Sequence, residues 1–229
     1  MPTSRAWATS RLYTHVETAI ASALAEGAFD HPEWLVKVNE TFFARYRDAF
    51  DERLRRAPTT SVWKAAFDAA QSRRLCVVQH LLLGMNAHIN FDLAIAVADA
   101  LEPDQVPAFQ GDFNRMNALL ASLVDGVCGD VALFWPPLKW INRLGRGPED
   151  LIINFSMRYA RDHAWRSALR LSTLAGSARA AAIAELDSVA VGLAHDVAHP
   201  GSVVGGLTVA IIRLGERGTV ADIIDDMLD

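Results

Sequence analysis

A chain of 229 residues with 51% hydrophobic and 21% charged residues has ordinary globular composition and the size to bury a substantial core. Its formal net charge of −5 lacks the clustered cations that bind phosphate backbones, so no nucleic-acid partner is expected. The two cysteines, Cys76 and Cys128, lie in apolar stretches without C-x-x-C spacing, and MPTSRAWATSRLY lacks a secretory apolar core; both features predict buried thiols in a cytoplasmic protein.

Apolar residues recur at three-and-four spacing along most of the chain, and alternating β-branched runs are missing. The expected fold is therefore all-α: a single domain, residues 1–229, forming a bundle of about eight helices. A first helix covers about residues 4–25 and stops at Gly27. In FDHPEW, Asp30 is the expected cap of a second helix, with Glu33 at its third position and Phe29 stapled onto Trp34. That helix runs to about Arg56, and Pro58-Thr59-Thr60 opens another that continues or kinks into residues 80–101. EPDQVP breaks the chain; a helix from about Gly111 to Val127 follows, then irregular CGD and FWPPLKW. GRGPED restarts a helix that reaches Leu171, with Pro148 in its first turn. Helices over about 177–198 and 201–215 and a short acidic one complete the chain, and the longest uncharged stretch, 197–212, is too short and glycine-rich to span a membrane.

The stretch HLLLGMNAHINFDLAIAVADAL, residues 80–101, sets five polar side chains in an apolar helix: His80, Asn86, His88, Asn90 and Asp92. At about 100° per residue, Gly84, His88 and Asp92 share one stripe with His80 at its edge, while Asn86 and Asn90 form a second stripe on the opposite flank. Gly84 costs about 1 kcal/mol against alanine in mid-helix, which suggests close approach of a backbone, an ion or a ligand. Histidine and a carboxylate four apart can share a divalent cation, or the carboxylate can orient the imidazole as a general base. They can equally satisfy one another inside a core, where an unpaired polar group costs roughly 1–3 kcal/mol.

Asp112 reads first as a helix cap and second as a polar wall of the same pocket, together with Asn117, which lies among Met116, Leu119 and Leu120. On the helix FSMRYARDHAWRSALR, positions 158, 161, 162 and 165 share a face, and Arg161 beside Trp165 could grip a substrate carboxylate. The alternative is a half-exposed face of paired charges and arginine stems. His195-Asp196 imitates the dipeptide of HD-type phosphohydrolases, for which His163 and Asp222 would be further ligands, but a helix end that favours histidine is the simpler reading. Neither G-x-S-x-G, a P-loop nor G-x-G-x-x-G occurs.

Phe29-Asp30-His31-Pro32-Glu33-Trp34, Phe43-Ala44-Arg45-Tyr46, LLGMNAHINFDLA and the pairs Ala160-Arg161 and Ala164-Trp165 resemble the family catalogued as domain of unknown function 5995 over most of the chain. That resemblance implies a fold and no activity. Leu83-Gly84, His88 and Asp92 are locally similar to the zinc helix of the zinc-dependent phospholipase C and nuclease group, which implies metal ligation. Ala98 and the Met1-Pro2 start depart from that group's further ligands, so one or two metals are implied rather than three.

The leading expectation is a metal-dependent, hydrolase- or lyase-like enzyme acting on a small molecule, with zinc, iron or manganese held by His80, His88 and Asp92. His88, Asp92, Asn86 and Asn90 are the catalytic candidates, and Asp112, Asn117, Arg161 and Trp165 the substrate-binding ones. Two other readings stand beside it. One is a metal-free acid/base cyclase or isomerase of an apolar substrate; the other is a non-catalytic ligand-binding helical protein. The sequence leaves the oligomeric state open.

Overall fold

The computed structural model describes residues 18–72, 74–120 and 157–201. These are helical without a strand among them, as the three-and-four periodicity predicts. The expected irregular segment from CGD to FWPPLKW, the helix start at 145–150, the helix at 201–215 and the acidic C-terminal helix lie outside the described residues, as do residues 4–17.

Helix α1 (residues 18–25) ends at Gly27, whose φ of 71° is left-handed backbone that glycine adopts without strain. Helix α2 (Pro32–Leu54) starts one residue later than expected: its N-cap is His31, whose side chain makes no capping bond, and not Asp30. The capping function has moved to another part of the chain. Asp112, buried on a later helix, accepts the main-chain N–H of Asp30 at 2.8 Å through Oδ1 and that of His31 at 2.7 Å through Oδ2. Asp30 instead turns its carboxylate to Arg115, 2.7 Å away. A buried carboxylate needs several donors, and the free amides ahead of α2 supply two. Phe29 is buried in a cluster with Trp34 packed at its margin, and the ring of His31 stacks on Trp34 with centroids 4.0 Å apart.

Helix α3 (Ser61–Ala69) uses the same device, since Thr60 does not cap it through its side chain. The carboxylate of Asp187 receives the N–H groups of Ser61 at 3.1 Å and Val62 at 2.9 Å from over a hundred residues away. The chain breaks after α3, so α4 (Val77–Met85) is a separate helix and not a kinked continuation. A π-helical segment (Asn86–Asp92) and α5 (Leu93–Ala100) follow directly. Then come the four-residue α6 (Gln105–Ala108), α7 (residues 110–120), α8 (Met157–Ser172) and α9 (Gly176–Ala198).

Helix α5 lies at the centre because it is apolar nearly all round: Ala94, Ile95, Ala96, Val97 and Ala100 are buried. On one side Ala94 and Ile95 join a core with Val62, Trp63, Leu83, Phe91, Leu171 and the α9 stripe Ala182, Leu186, Ala190, Ala194 and Val197. On the other, Val97 and Ala100 join Leu35, Val38, Val106, Phe109, Phe113 and Trp165. Alanines on the α9 stripe keep the side chains short, so a neighbouring helix can approach the α9 main chain. No described helix is long and apolar enough to cross a membrane.

Candidate functional site

Residues 86–92 are not regular α-helix. The N–H of Leu93 donates to the carbonyl of His88, five residues back, where an α-helix would use the fourth. A wider turn means that four residues fall short of a full rotation, so the regular stripe expected for Gly84, His88 and Asp92 does not hold through this segment. The π segment packs against α2, α3, α4, α5, α8 and α9. Its polar side chains are anchored on different neighbours, which holds the wide turn open. Asn86 is tied to α9, and Asp92 to α2 and α3.

Asp92 is 1% exposed and fully engaged. Oδ1 accepts from Nε of Arg45 on α2 at 2.9 Å, and Oδ2 accepts from the indole Nε1 of Trp63 on α3 at 2.8 Å. The Nδ1 of His88 lies 3.4 Å from that same Oδ2, a loose contact that suits an Nδ1–H tautomer. The His88 ring lies flat on Phe42, with centroids 3.6 Å apart and planes at 7°, and the rings of Tyr46 and Trp63 stand at 5.9 and 6.1 Å. In this aromatic enclosure desolvation pulls the imidazole below the ordinary histidine pKa, opposed in part by the hydrogen bond and charge of Asp92. His88 is therefore neutral near pH 7. Arg45 continues outward, 4.0 Å from Asp99, which Arg179 of α9 also binds, at 2.5 Å.

The asparagines face the other way. Asn86 Nδ2 donates to the carbonyl of Ala190 at 2.7 Å, and Asn90 Nδ2 donates to Asn86 Oδ1 at 2.9 Å. Gln79, a residue the sequence reading missed, donates from Nε2 to the carbonyl of Val197 at 2.8 Å and accepts the N–H of Cys76 at 3.1 Å. Gln79 and Asn86 are seven apart, as are their acceptors Val197 and Ala190, so the two amides fix the antiparallel register of α4 against α9. The spacing of two buried amides by two turns was the available signal. Gly84 gives no close approach to described residues, for nothing lies within 4 Å of where a Cβ would sit.

The donor set fits a divalent cation poorly. Among the described residues no three His, Cys, Asp or Glu side chains converge as a metal-holding group, so His80, His88 and Asp92 do not assemble into the expected triad. His80 is half-buried on α4. The Asp92 oxygens already hold a guanidinium and an indole N–H, and a cation beside Arg45 would face like charge.

The expected substrate-binding residues fall in two further places. Asp112 caps the approach to α2 and also accepts from Arg115 at 2.7 Å. Asn117 accepts from Arg161 Nη1 at 2.9 Å, while Trp165, one turn further along α8, packs on Phe113 with ring centroids 4.9 Å apart. Arg161 and Trp165 are buried but Asp162 is exposed, so the face expected to hold all three divides. His195 is 71% exposed on α9, its ring 4.9 Å from that of His199, and Asp222 lies outside the described residues.

The profile of a family of unknown function (DUF5995) matches residues 2–200. The chain belongs to this family. Neither a curated protein nor a solved structure matches it. In this DUF5995 chain the matched region takes in α1 to α9, including the π segment with Asp92 and His88.

Proposed function

We propose that the protein is a metal-free acid–base enzyme, a cyclase or isomerase of an apolar small molecule, with His88 as the general base. The observation that carries this reading is the carboxylate of Asp92, clamped by Arg45 and Trp63 and 3.4 Å from Nδ1 of His88. The carboxylate orients the imidazole and stabilises the imidazolium that forms when Nε2 takes a proton. Loose base contacts of this kind tighten as charge develops. Burial supports the same role, because it keeps the imidazole neutral and proton-accepting near pH 7. The rings of Phe42, Tyr46 and Trp63 suit an apolar substrate. A π-helical turn of this kind recurs at functional sites. Asn86 and Asn90 act here as positioning residues, since their amides hold α9 and each other.

That last feature favours a second reading, a ligand-binding helical protein whose polar cluster is a core network. The two are separated with a nitrobenzisoxazole, whose ring opening needs one positioned base in apolar surroundings. The purified protein is expected to turn it over faster than free imidazole, and His88→Gln, folded by circular dichroism, to lose about a hundredfold or more. An unchanged rate in His88→Gln, or no turnover by the parent protein, rejects the acid–base reading.

A further inference from the structure

Helix α9 ends in a pair of histidines that play no part in the site at His88. His195 lies in its last turn and His199 is its C-cap, and both side chains are exposed. The main chain that presents them is held in place. Ala194 and Val197 are buried, and the carbonyl of Val197 accepts from Gln79 Nε2 at 2.8 Å. The N–H of His199 donates to the carbonyl of His195 at 2.8 Å, which closes the last turn. Residues four apart in such a turn are neighbours on one face. The two imidazoles accordingly stand together, with ring centroids 4.9 Å apart and planes at 31°.

That separation is the one a shared metal ion requires. With metal–nitrogen bonds of about 2.0–2.1 Å, two imidazoles at neighbouring positions of a tetrahedral or octahedral ion have ring centroids about 4.5–5.2 Å apart. The local charges favour a cation at the same point. The negative end of the α9 dipole lies in this turn. Asp196 adds an exposed carboxylate whose Oδ1 is 3.8 Å from Nδ1 of His195. Imidazole nitrogen suits copper, nickel and zinc, whereas magnesium and calcium take oxygen ligands. Because both rings are exposed, turning a nitrogen toward an ion unpacks nothing in the core.

We propose that His195 and His199 form a two-histidine site for a late first-row divalent metal ion, with copper(II) bound most tightly. The ion bridges the last turn of α9, one nitrogen coming from each ring. Asp196 serves as a neighbouring counter-charge, and water fills the remaining positions. This site stands independently of the acid–base reading at His88.

Copper(II) chloride titrated into the full chain near pH 7 and followed by proton NMR tests the assignment. The chain has seven histidines, so this site is read from the ring-proton signals of His195 and His199, each assigned by its loss in His195→Ala or His199→Ala. Paramagnetic broadening is expected to remove both signals together, and a tenfold excess of magnesium chloride should not restore them. In each variant the surviving signal should need at least about ten times more copper to broaden, because one imidazole loses the chelate. Histidines that bind separately would broaden at different copper concentrations, and each would keep its affinity when the other is removed. That result, or recovery of the signals with magnesium, overturns the proposal. Both substitutions alter exposed side chains, so the core is left as it is.

Discussion

Asp92→Asn is the most informative single change, because it keeps the volume of the side chain and alters only charge and one acceptor. Asp92 accepts from Arg45 and Trp63 on separate oxygens. An asparagine offers one oxygen, so its amide nitrogen must face either the guanidinium or the indole N–H, donor against donor. Breaking a buried ion pair from one side costs about 3–5 kcal/mol, but Arg45 is 26% exposed and water recovers part of that. Trp63 is 4% exposed, so a stranded indole N–H is not rehydrated and adds about 1–3 kcal/mol. No cavity forms. The expected destabilisation is about 2–4 kcal/mol, read as a lower urea midpoint at unchanged slope, with tryptophan fluorescence as the probe. Trp63→Phe removes the indole donor, and the double variant should fall short of the summed costs by about 1 kcal/mol, since both changes strike one contact. An Asp92→Asn protein within about 0.5 kcal/mol of the parent would refute the claim that this carboxylate is the anchor of the π segment.

Two further outcomes follow from the same geometry. Burial lowers the folded pKa of His88 from its ordinary 6.5, so the unfolded chain binds the proton more readily. The stability that His88 contributes is present above pH 6.5 and is lost as pH falls toward the lowered folded value. His163 shifts the same way, by burial and by Arg166. In a melting series across the acid range, His88→Gln should flatten the loss by up to about 1.4 kcal/mol per pH unit, and His163→Gln should remove a separate share; an unaltered acid slope in His88→Gln contradicts the burial argument. At Gly84 a methyl group meets no described residue within 4 Å, so Gly84→Ala should stabilise α4 by about 0.5–1 kcal/mol and raise the melting temperature. A lower melting temperature would mean that something does press on that face.

Periodicity alone determined the helical class, because a 3.6-residue repeat of apolar side chains has one way to bury its stripe. Local chemistry also placed several helix ends: the stop at Gly27, the end of α8 beside Leu171 and the span of α9. The density of polar residues between 86 and 92 marked the segment that became the hub of the packing. What was decided only in three dimensions is the choice of partner. Arg45 and Trp63 lie 47 and 29 residues from Asp92, and Asp112 caps main chain more than eighty residues away. Nothing in a helical repeat encodes such pairs, because buried donors and acceptors are satisfied by whichever groups the packing brings within hydrogen-bond reach. The π turn is of the same kind. Its sequence reads as ordinary α-helix, and its wider turn is set by anchors on α2, α3 and α9 that exist only once those helices have docked.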